Sequence, residues 1–409
     1  MSMTGPVLAS RDRVSQLLDD ELLALRDRDL FRTLTTIEDV QGPVATVHGR
    51  PVVVWCANDY LGLAQHPRLI QAACDAARCW GIGARASRLL AGSSSLHQQL
   101  EARLAGFFHA EAAAVFPSGY LANLGVLRAF LNAQDVVLVD RLAHASLIDA
   151  CRFSGATVRV FRHNDVAHAA QVLQRAPRAR RRVIVTEGLF SMDGDFAPLE
   201  GLVELAGADE AFLYLDDAHG AFAVGATGRG SPERAGVSSD RLIYMGTLGK
   251  ALGCQGGFVV GPTALSALIQ NRARTFLYST ALAPPVVAAA LEALRLIEDE
   301  PDHRRRLDGN VRFLHSHGEA PLPIRDRVPS HIVPMLIGAS SRAREVAAAL
   351  WERGIFAPAI RPPTVPNGTA RLRLSLSASH TDGHIRQLLD ALREVGADLA
   401  WAAPGAVTR

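Results

Sequence analysis

The sequence predicts an α/β protein: a large unit built on a mainly parallel sheet with helices on both faces, then a smaller α+β unit. Three observations predict it. The chain has 409 residues, beyond the size one hydrophobic core usually serves, so two or more units are expected. From about residue 112, short continuous apolar runs alternate with helical stretches, and strands apolar on both faces belong to parallel sheets. Near Pro284-Pro285 this alternation gives way to long helical patterns.

Each element follows in turn. Residues 11–28 repeat with helical period, with Val14, Leu17, Leu18, Leu22, Leu23 and Leu25 on one side. VATVHG and PVVVWC form a strand pair with Gly49 and Arg50 as the turn. A helix is expected from about Pro67 to Trp80, and Ser94 or Ser95 caps the one carrying His97, Leu100 and Leu104. GIGARASRLLAG between them is no dinucleotide fingerprint: the third glycine is misplaced and no strand precedes it. Strands AAAVF, VVLVD, TVRVF, RVIVTE, AFLYL and LIYMG follow, with helices SGYLANLGVLRAFL and ASLIDACRF after the first two. Beyond the proline pair come a long helical pattern from Val286 to His315 broken at Pro301, the segment SHIVPMLIG, and a helix around Ala343–Arg353. The turn-rich AIRPPTVPNGTA, strand RLRLSLS and a last helix from Thr381 to Val395 close the chain.

Composition excludes several classes. Apolar residues make up 48% and charged residues 21%, as in ordinary globular proteins. A net charge of +2 gives no electrostatic reason to expect a nucleic acid or membrane partner. Apolar runs are broken well before a membrane span's length. MSMTGPVLASRDRVSQ lacks a signal peptide's apolar core. Cys56, Cys74, Cys79, Cys151 and Cys254 are scattered without paired spacing. No disulfide framework or metal site is expected, and a cytoplasmic location is.

The chemistry centres on GTLGKALGCQGGFVVG, Gly246 to Gly261. Lys250 sits on a glycine-rich turn between LIYMG and GFVVG, which read as short buried strands. A lysine in such apolar surroundings is costly unless it is used, and a Schiff base to a carbonyl cofactor is the commonest use. Upstream, AFLYL delivers Asp216, then Asp217 and His219. A strand-end carboxylate before such a lysine suits pyridoxal 5'-phosphate, because it keeps the pyridine nitrogen protonated and the ring an electron sink.

NDYLGLAQHP, FPSGYLAN, DRLAHASLIDA, TEGLFSMDGD, DDAHG and TLGKALG resemble, in this order, motifs of the α-oxoamine synthases. These are pyridoxal-phosphate enzymes that condense an amino acid with an acyl thioester. The resemblance runs from about Leu23 to Leu392, and AIRPPTVPNGTARLRLSLSASH is similar to the branch that joins L-alanine to a pimeloyl thioester in biotin biosynthesis. It implies the type I pyridoxal-phosphate-dependent transferase fold, with a seven-stranded sheet. The expected parts are an N-terminal helical arm over 1–45, a large cofactor-binding domain over 46–285 and a small domain over 286–409. It also implies a decarboxylative condensation, coenzyme A or an acyl carrier protein as thioester carrier, and a homodimer with shared active sites. Alternatives are a related synthase using glycine, serine or a fatty acyl donor, and a non-catalytic partner subunit.

The resemblance assigns roles residue by residue. Lys250 matches the cofactor-linked lysine and base at the amino acid's Cα, and Asp216 the partner of the pyridine nitrogen. His219 matches the histidine near the phenolic oxygen, His144 the one stacked on the ring, and Ser191 a contact to the ring oxygen. Ser118, Gly119 and Tyr120 open a predicted helix directly after a strand, which suits phosphate; Thr247 adds a hydroxyl. Ser279 and Thr280 match a segment that reaches the neighbouring subunit's phosphate. Arg373 matches the arginine for the amino acid carboxylate, since a guanidinium fork suits that group. Arg361 is a second candidate, with Asn58 and Thr364 also expected at substrate. Arg371 is expected on the strand's other face, in a structural role. Arg85 and Phe222 stand where the family has a small residue and glycine, and are expected to place charge or bulk near the acyl path.

Overall fold

The protein is described here by a computed structural model covering residues 11–318 and 328–399. Its centre is a seven-stranded sheet. In spatial order the strands are Ala112–Phe116, Gly257–Gly261, Leu242–Thr247, Phe212–Asp216, Arg182–Glu187, Val136–Asp140 and Thr157–Phe161. The pairs beyond Leu242–Thr247 are parallel, and Gly257–Gly261 runs against both its neighbours. That reversal is the consequence of the glycine-rich turn, which returns the chain at once instead of through a crossover helix.

Both faces of this sheet are buried, as continuous apolar strands require. Val137, Val139, Val183 and Val185 pack into one core, while Val136, Leu138, Ile184 and Leu213 pack into the other. Successive residues point to opposite faces, so each strand feeds both cores. The helices expected at Pro67–Trp80, Gly119–Phe130 and Ala145–Phe153 are present, the second capped by the Ser118 hydroxyl, which accepts from Leu121 N.

The helical pattern after the proline pair divides into Pro284–Asp299 and Asp302–His317. The first packs on Pro67–Trp80 and Ser95–Phe107. A three-stranded sheet follows, Ile332–Gly338, Ala370–Ser375 and Ala359–Ile360, backed by helix Ser340–Glu352, against which helix Asp382–Asp398 packs. A separate four-stranded sheet joins Ile37–Gln41, Val44–Val47 and Arg50–Val54 to Ile355–Phe356. Ile37–Gln41 had no apolar alternation to announce it, and all five of its residues are exposed. Helix Arg11–Asp27 leaves Val14, Leu17, Leu18, Leu22 and Leu23 exposed.

Phe222 differs from expectation. It is fully buried against Phe107, Phe108 and Phe258, with ring centroids 5.4, 5.4 and 5.6 Å away. It therefore adds no bulk to an acyl path; it fills the core at a backbone φ of 67°, where a bulky residue is strained. Phe222→Ala is expected to lower unfolding free energy by about 3–5 kcal/mol in urea titrations, the usual cost of emptying an aromatic core site. A loss under about 1 kcal/mol, the range of ordinary surface changes, would contradict this packing role. Arg85 is exposed and donates to Trp80 O.

Candidate active site

Three adjacent parallel strands end in carboxylates: Asp140, Glu187 and Asp216. Glu187 and Asp216 are register partners. The carboxyl ends of strands are where open α/β sheets hold ligands. A cavity of about 190 Å³ lies there, lined by Gly119, Tyr120, Asn123, His144, Ser146, Glu187, Asp216, Ala218, His219, Met245, Thr247 and Lys250.

Asp216 accepts from Asn123 Nδ2 at 2.7 Å and from Ala218 N at 3.0 Å. Asn123 is itself oriented by Tyr214, whose hydroxyl donates to its Oδ1 at 2.9 Å. Lys250 Nζ lies 2.8 Å from His219 Nε2, and His219 Nδ1 lies 2.6 Å from the Tyr60 hydroxyl. Removal from water lowers the Lys250 pKa from 10.5 to about 8, although Asp216 and Glu187 pull it upward. Burial, with Lys250 and Arg373 nearby, holds His219 well below 6.5, so its ring is neutral. One proton arrangement satisfies the whole chain. Lys250 donates to Nε2, Nδ1–H donates to the Tyr60 oxygen, and Tyr60 donates to Asn58 Oδ1 at 3.0 Å.

Arg373 completes this network. It donates to the Tyr60 hydroxyl at 2.9 Å, to Asn58 Oδ1 at 3.2 Å, to Ser375 Oγ at 2.8 Å and to the Ser191 carbonyl. Arg371 shares its face, contrary to expectation, because residues two apart in a strand point the same way. Its guanidinium instead pairs with Asp193 at 2.8 Å and donates to Met192 O. Both arginines thus grip the turn that carries Ser191.

Glu187 was not singled out from sequence. It accepts from His144 N at 2.7 Å and from Ser191 N at 3.1 Å, tying two loops to one strand end. Burial, then the Asp216 charge, raises it to about 8. Tyr60 and Asn123 were also missed. A signal existed for two of the three: Glu187 ends an apolar strand as Asp216 does, and Asn123 interrupts an apolar helix.

The remaining expected residues divide. Gly119 and Tyr120 line the cavity at a helix N-terminus, where the first amides lack intrahelical partners. A side chain on Gly257 would come within 2.6 Å of the Gly119 backbone, so only glycine lets that helix start press onto the sheet. Thr247 lines the cavity, and its hydroxyl donates to Gly256 O at 2.7 Å and accepts from Gly249 N at 3.1 Å. Ser118 and Ser191 reach the site through capping and backbone contacts. Ser279 and Thr280 lie outside the cavity. Arg361 and Thr364 also lie elsewhere: with Arg26, Arg32 and Arg344, Arg361 lines a second cavity of about 570 Å³ and donates to Phe31 O, and Arg32 reaches Thr364.

This donor set fits pyridoxal phosphate. It offers an amine of lowered pKa, a carboxylate across the same cavity, and a helix start with a hydroxyl beside it for phosphate. The helices described are not long and apolar enough to cross a membrane.

Known proteins agree with that fit. The aminotransferase class I and II family matches residues 50–392. An 8-amino-7-oxononanoate synthase of Anaeromyxobacter dehalogenans (strain 2CP-1) is 48% identical over 385 residues, 94% of this chain and 96% of that protein. A serine palmitoyltransferase variant from S. paucimobilis, solved with a bound pyridoxal phosphate–myriocin adduct, superposes with TM-score 0.88 at 30% identity, covering 97% of this chain and all of that one. An 8-amino-7-oxononanoate synthase from Francisella tularensis superposes with TM-score 0.73 at 28% identity, covering 85% and 98%.

Proposed function

We propose, since the chain belongs to the aminotransferase class I and II family and within it to the α-oxoamine synthases, that it condenses L-alanine with a pimeloyl thioester in biotin biosynthesis. The products are 8-amino-7-oxononanoate, the free thiol and carbon dioxide. The fold is the type I pyridoxal-phosphate transferase fold, and the family depends on that cofactor. The observation that carries the reading is the Lys250 amine facing Asp216 within one cavity, on a chain so similar to 8-amino-7-oxononanoate synthases.

Lys250 would hold the cofactor's carbonyl carbon, Asp216 its ring nitrogen, and Gly119, Tyr120 and Thr247 its phosphate. Once bound, pyridoxal phosphate delocalises negative charge from the amino acid's Cα. Lys250, with its pKa near 8, takes the Cα proton at near-neutral pH. His219 orients that amine through Nε2, and Tyr60 holds the imidazole in one tautomer. Arg373 would grip the substrate carboxylate through its fork by exchanging bonds it now gives to Asn58 and Tyr60, and His144, at the cavity wall, would hydrogen-bond the substrate. Arg361 and Thr364 remain substrate-binding candidates; Arg361 shares its cavity with Arg26, Arg32 and Arg344, and with Asp29, which pairs with Arg344.

Residues 46–285 form the cofactor-binding part and 286–409 the smaller one, with 1–45 as an arm. Those bounds include 1–10, 319–327 and 400–409, which lie outside the described residues. The protein is a cytoplasmic homodimer, its cysteines free. A second copy would cover the exposed apolar side of Arg11–Asp27 and receive Ser279 and Thr280 at its own cofactor site.

The test is thiol release from pimeloyl-CoA by the cofactor-loaded protein, with L-alanine, glycine and L-serine in separate runs. Release with alanine is expected. Release only with serine or glycine would favour the related synthases, to which the serine palmitoyltransferase overlap also points. Arg373→Lys should raise the KM for L-alanine by about 10–100-fold, the loss of one or two charged hydrogen bonds, and leave the thioester KM within about threefold. Equal effects on both substrates would remove Arg373 from the carboxylate role.

A further inference from the structure

His163 stands outside the cavity and takes no part in the chemistry above. Its Nδ1 lies 3.0 Å from Asp140 Oδ1 and its Nε2 lies 3.0 Å from Asp195 Oδ2. An ionised carboxylate only accepts hydrogen bonds, so both ring nitrogens must carry protons. The side chain is 10% exposed, Asp140 is fully buried, and Phe190 meets the ring edge-on at 4.4 Å. Burial opposes the charge, but the hydrogen bonds to Asp140 and Asp195 outweigh it and raise the imidazole to about 9.

The two carboxylates belong to two loops of the site. Asp140 ends the strand that leads to His144, and it also accepts from Leu142 N at 2.8 Å. Asp195 closes the turn that starts at Phe190, whose N–H donates to Asp195 O at 2.9 Å. That turn presents the Ser191 carbonyl to Arg373 Nε.

We propose that His163 is a positioning residue: an imidazolium wedged between Asp140 and Asp195 that fixes the Ser191 turn and thereby the angle of the Arg373 fork. The proposal rests on the reading of Arg373 as the carboxylate anchor. It separates His163 from residues that merely stabilise the fold, because its loss acts on one substrate. The amino acid is held less well while the thioester is not affected.

The experiment uses cofactor-loaded wild type, His163→Gln and Asp195→Asn, which break the bridge at its centre and at its Asp195 end. L-Alanine affinity is read from the cofactor's spectral change, and the thioester KM from thiol release. Both variants should weaken alanine binding about tenfold, as small misplacements of a positioning group do, with the thioester KM within twofold. In an Arg373→Lys background His163→Gln should change alanine affinity by less than about twofold, since residues acting through one another are not additive. Nitrogen NMR of the wild-type histidines should show a ring protonated on both nitrogens at pH 7.5, assigned to His163 by its absence in His163→Gln or, if neither variant folds, by contacts to Phe190. Unchanged alanine affinity in the variants, equal effects on both substrates, additivity with Arg373→Lys, or a singly protonated ring would each overturn the proposal. A wild type that binds cofactor but shows no response to any amino acid would instead overturn the functional reading, and His163's role with it.

Discussion

Replacing Lys250 with alanine is expected to cut thiol release by more than about a thousandfold, because in the proposed reaction one residue supplies both the covalent anchor and the general base. The protein should also lose the absorbance of lysine-bound cofactor. Folding should survive, because the polar partner His219 keeps its Tyr60 contact. The lowered pKa gives a second, independent expectation. An ordinary lysine is mostly neutral only above pH 10.5, whereas Lys250 is so above about 8. Capture of cofactor by the cofactor-free protein needs the neutral amine, so its rate should rise with pH, reach half its limit near pH 8 and level off. A rate still climbing steeply at pH 10 would show that Lys250 is not desolvated as described. Cofactor colour and turnover persisting in Lys250→Ala would remove it from the centre of the reaction.

Asp216→Asn should lower kcat by about a hundredfold or more while the fold stays intact, since the new side chain matches the old in shape and lacks only the charge. The carboxylate accepts from Asn123 Nδ2 at one oxygen and from Ala218 N at the other, so an amide in its place can serve only one of the two donors. Its loss also reaches two neighbours. Asp216 raises the pKa of both Lys250 and Glu187. Without it both should fall, and the pH dependence of cofactor capture should move to below pH 8. An unchanged capture profile would show that the Asp216 charge does not act on the lysine. An unchanged kcat would show that it does not act on the cofactor ring.

Much of the site was legible because its residues sit at local landmarks. Lys250 lies on a glycine-rich turn between apolar runs. Asp216 ends an apolar strand. Gly119 and Tyr120 open a helix straight after a strand. These landmarks arise from backbone geometry within a few residues, and sequence records such geometry directly. The strand Ile37–Gln41 escaped because every residue in it is exposed, which leaves no apolar alternation to see. Glu187, Tyr60 and Asn123 escaped for another reason. Their value lies in what they touch: Glu187 holds the His144 and Ser191 loops, and Tyr60 meets His219 across 159 positions of chain.

The sequence by itself determined the alternation of strands and helices, the early return at Gly257–Gly261, and the residue types able to hold a carbonyl cofactor. Periodicity, turn residues and strand-end charges are enough for that. Only the tertiary structure decided which side chains meet. It put Arg371 on the face of Arg373, sank Phe222 into the aromatic core, and set Arg361 beside Asp29 and Phe31 instead of in the cavity. It also joined Lys250, His219, Tyr60, Asn58 and Arg373 into one hydrogen-bonded chain. Those contacts depend on how distant segments pack together, and a lysine's pKa depends on how far that packing removes water. Neither is carried by local pattern, because burial and proximity are properties of the packed chain.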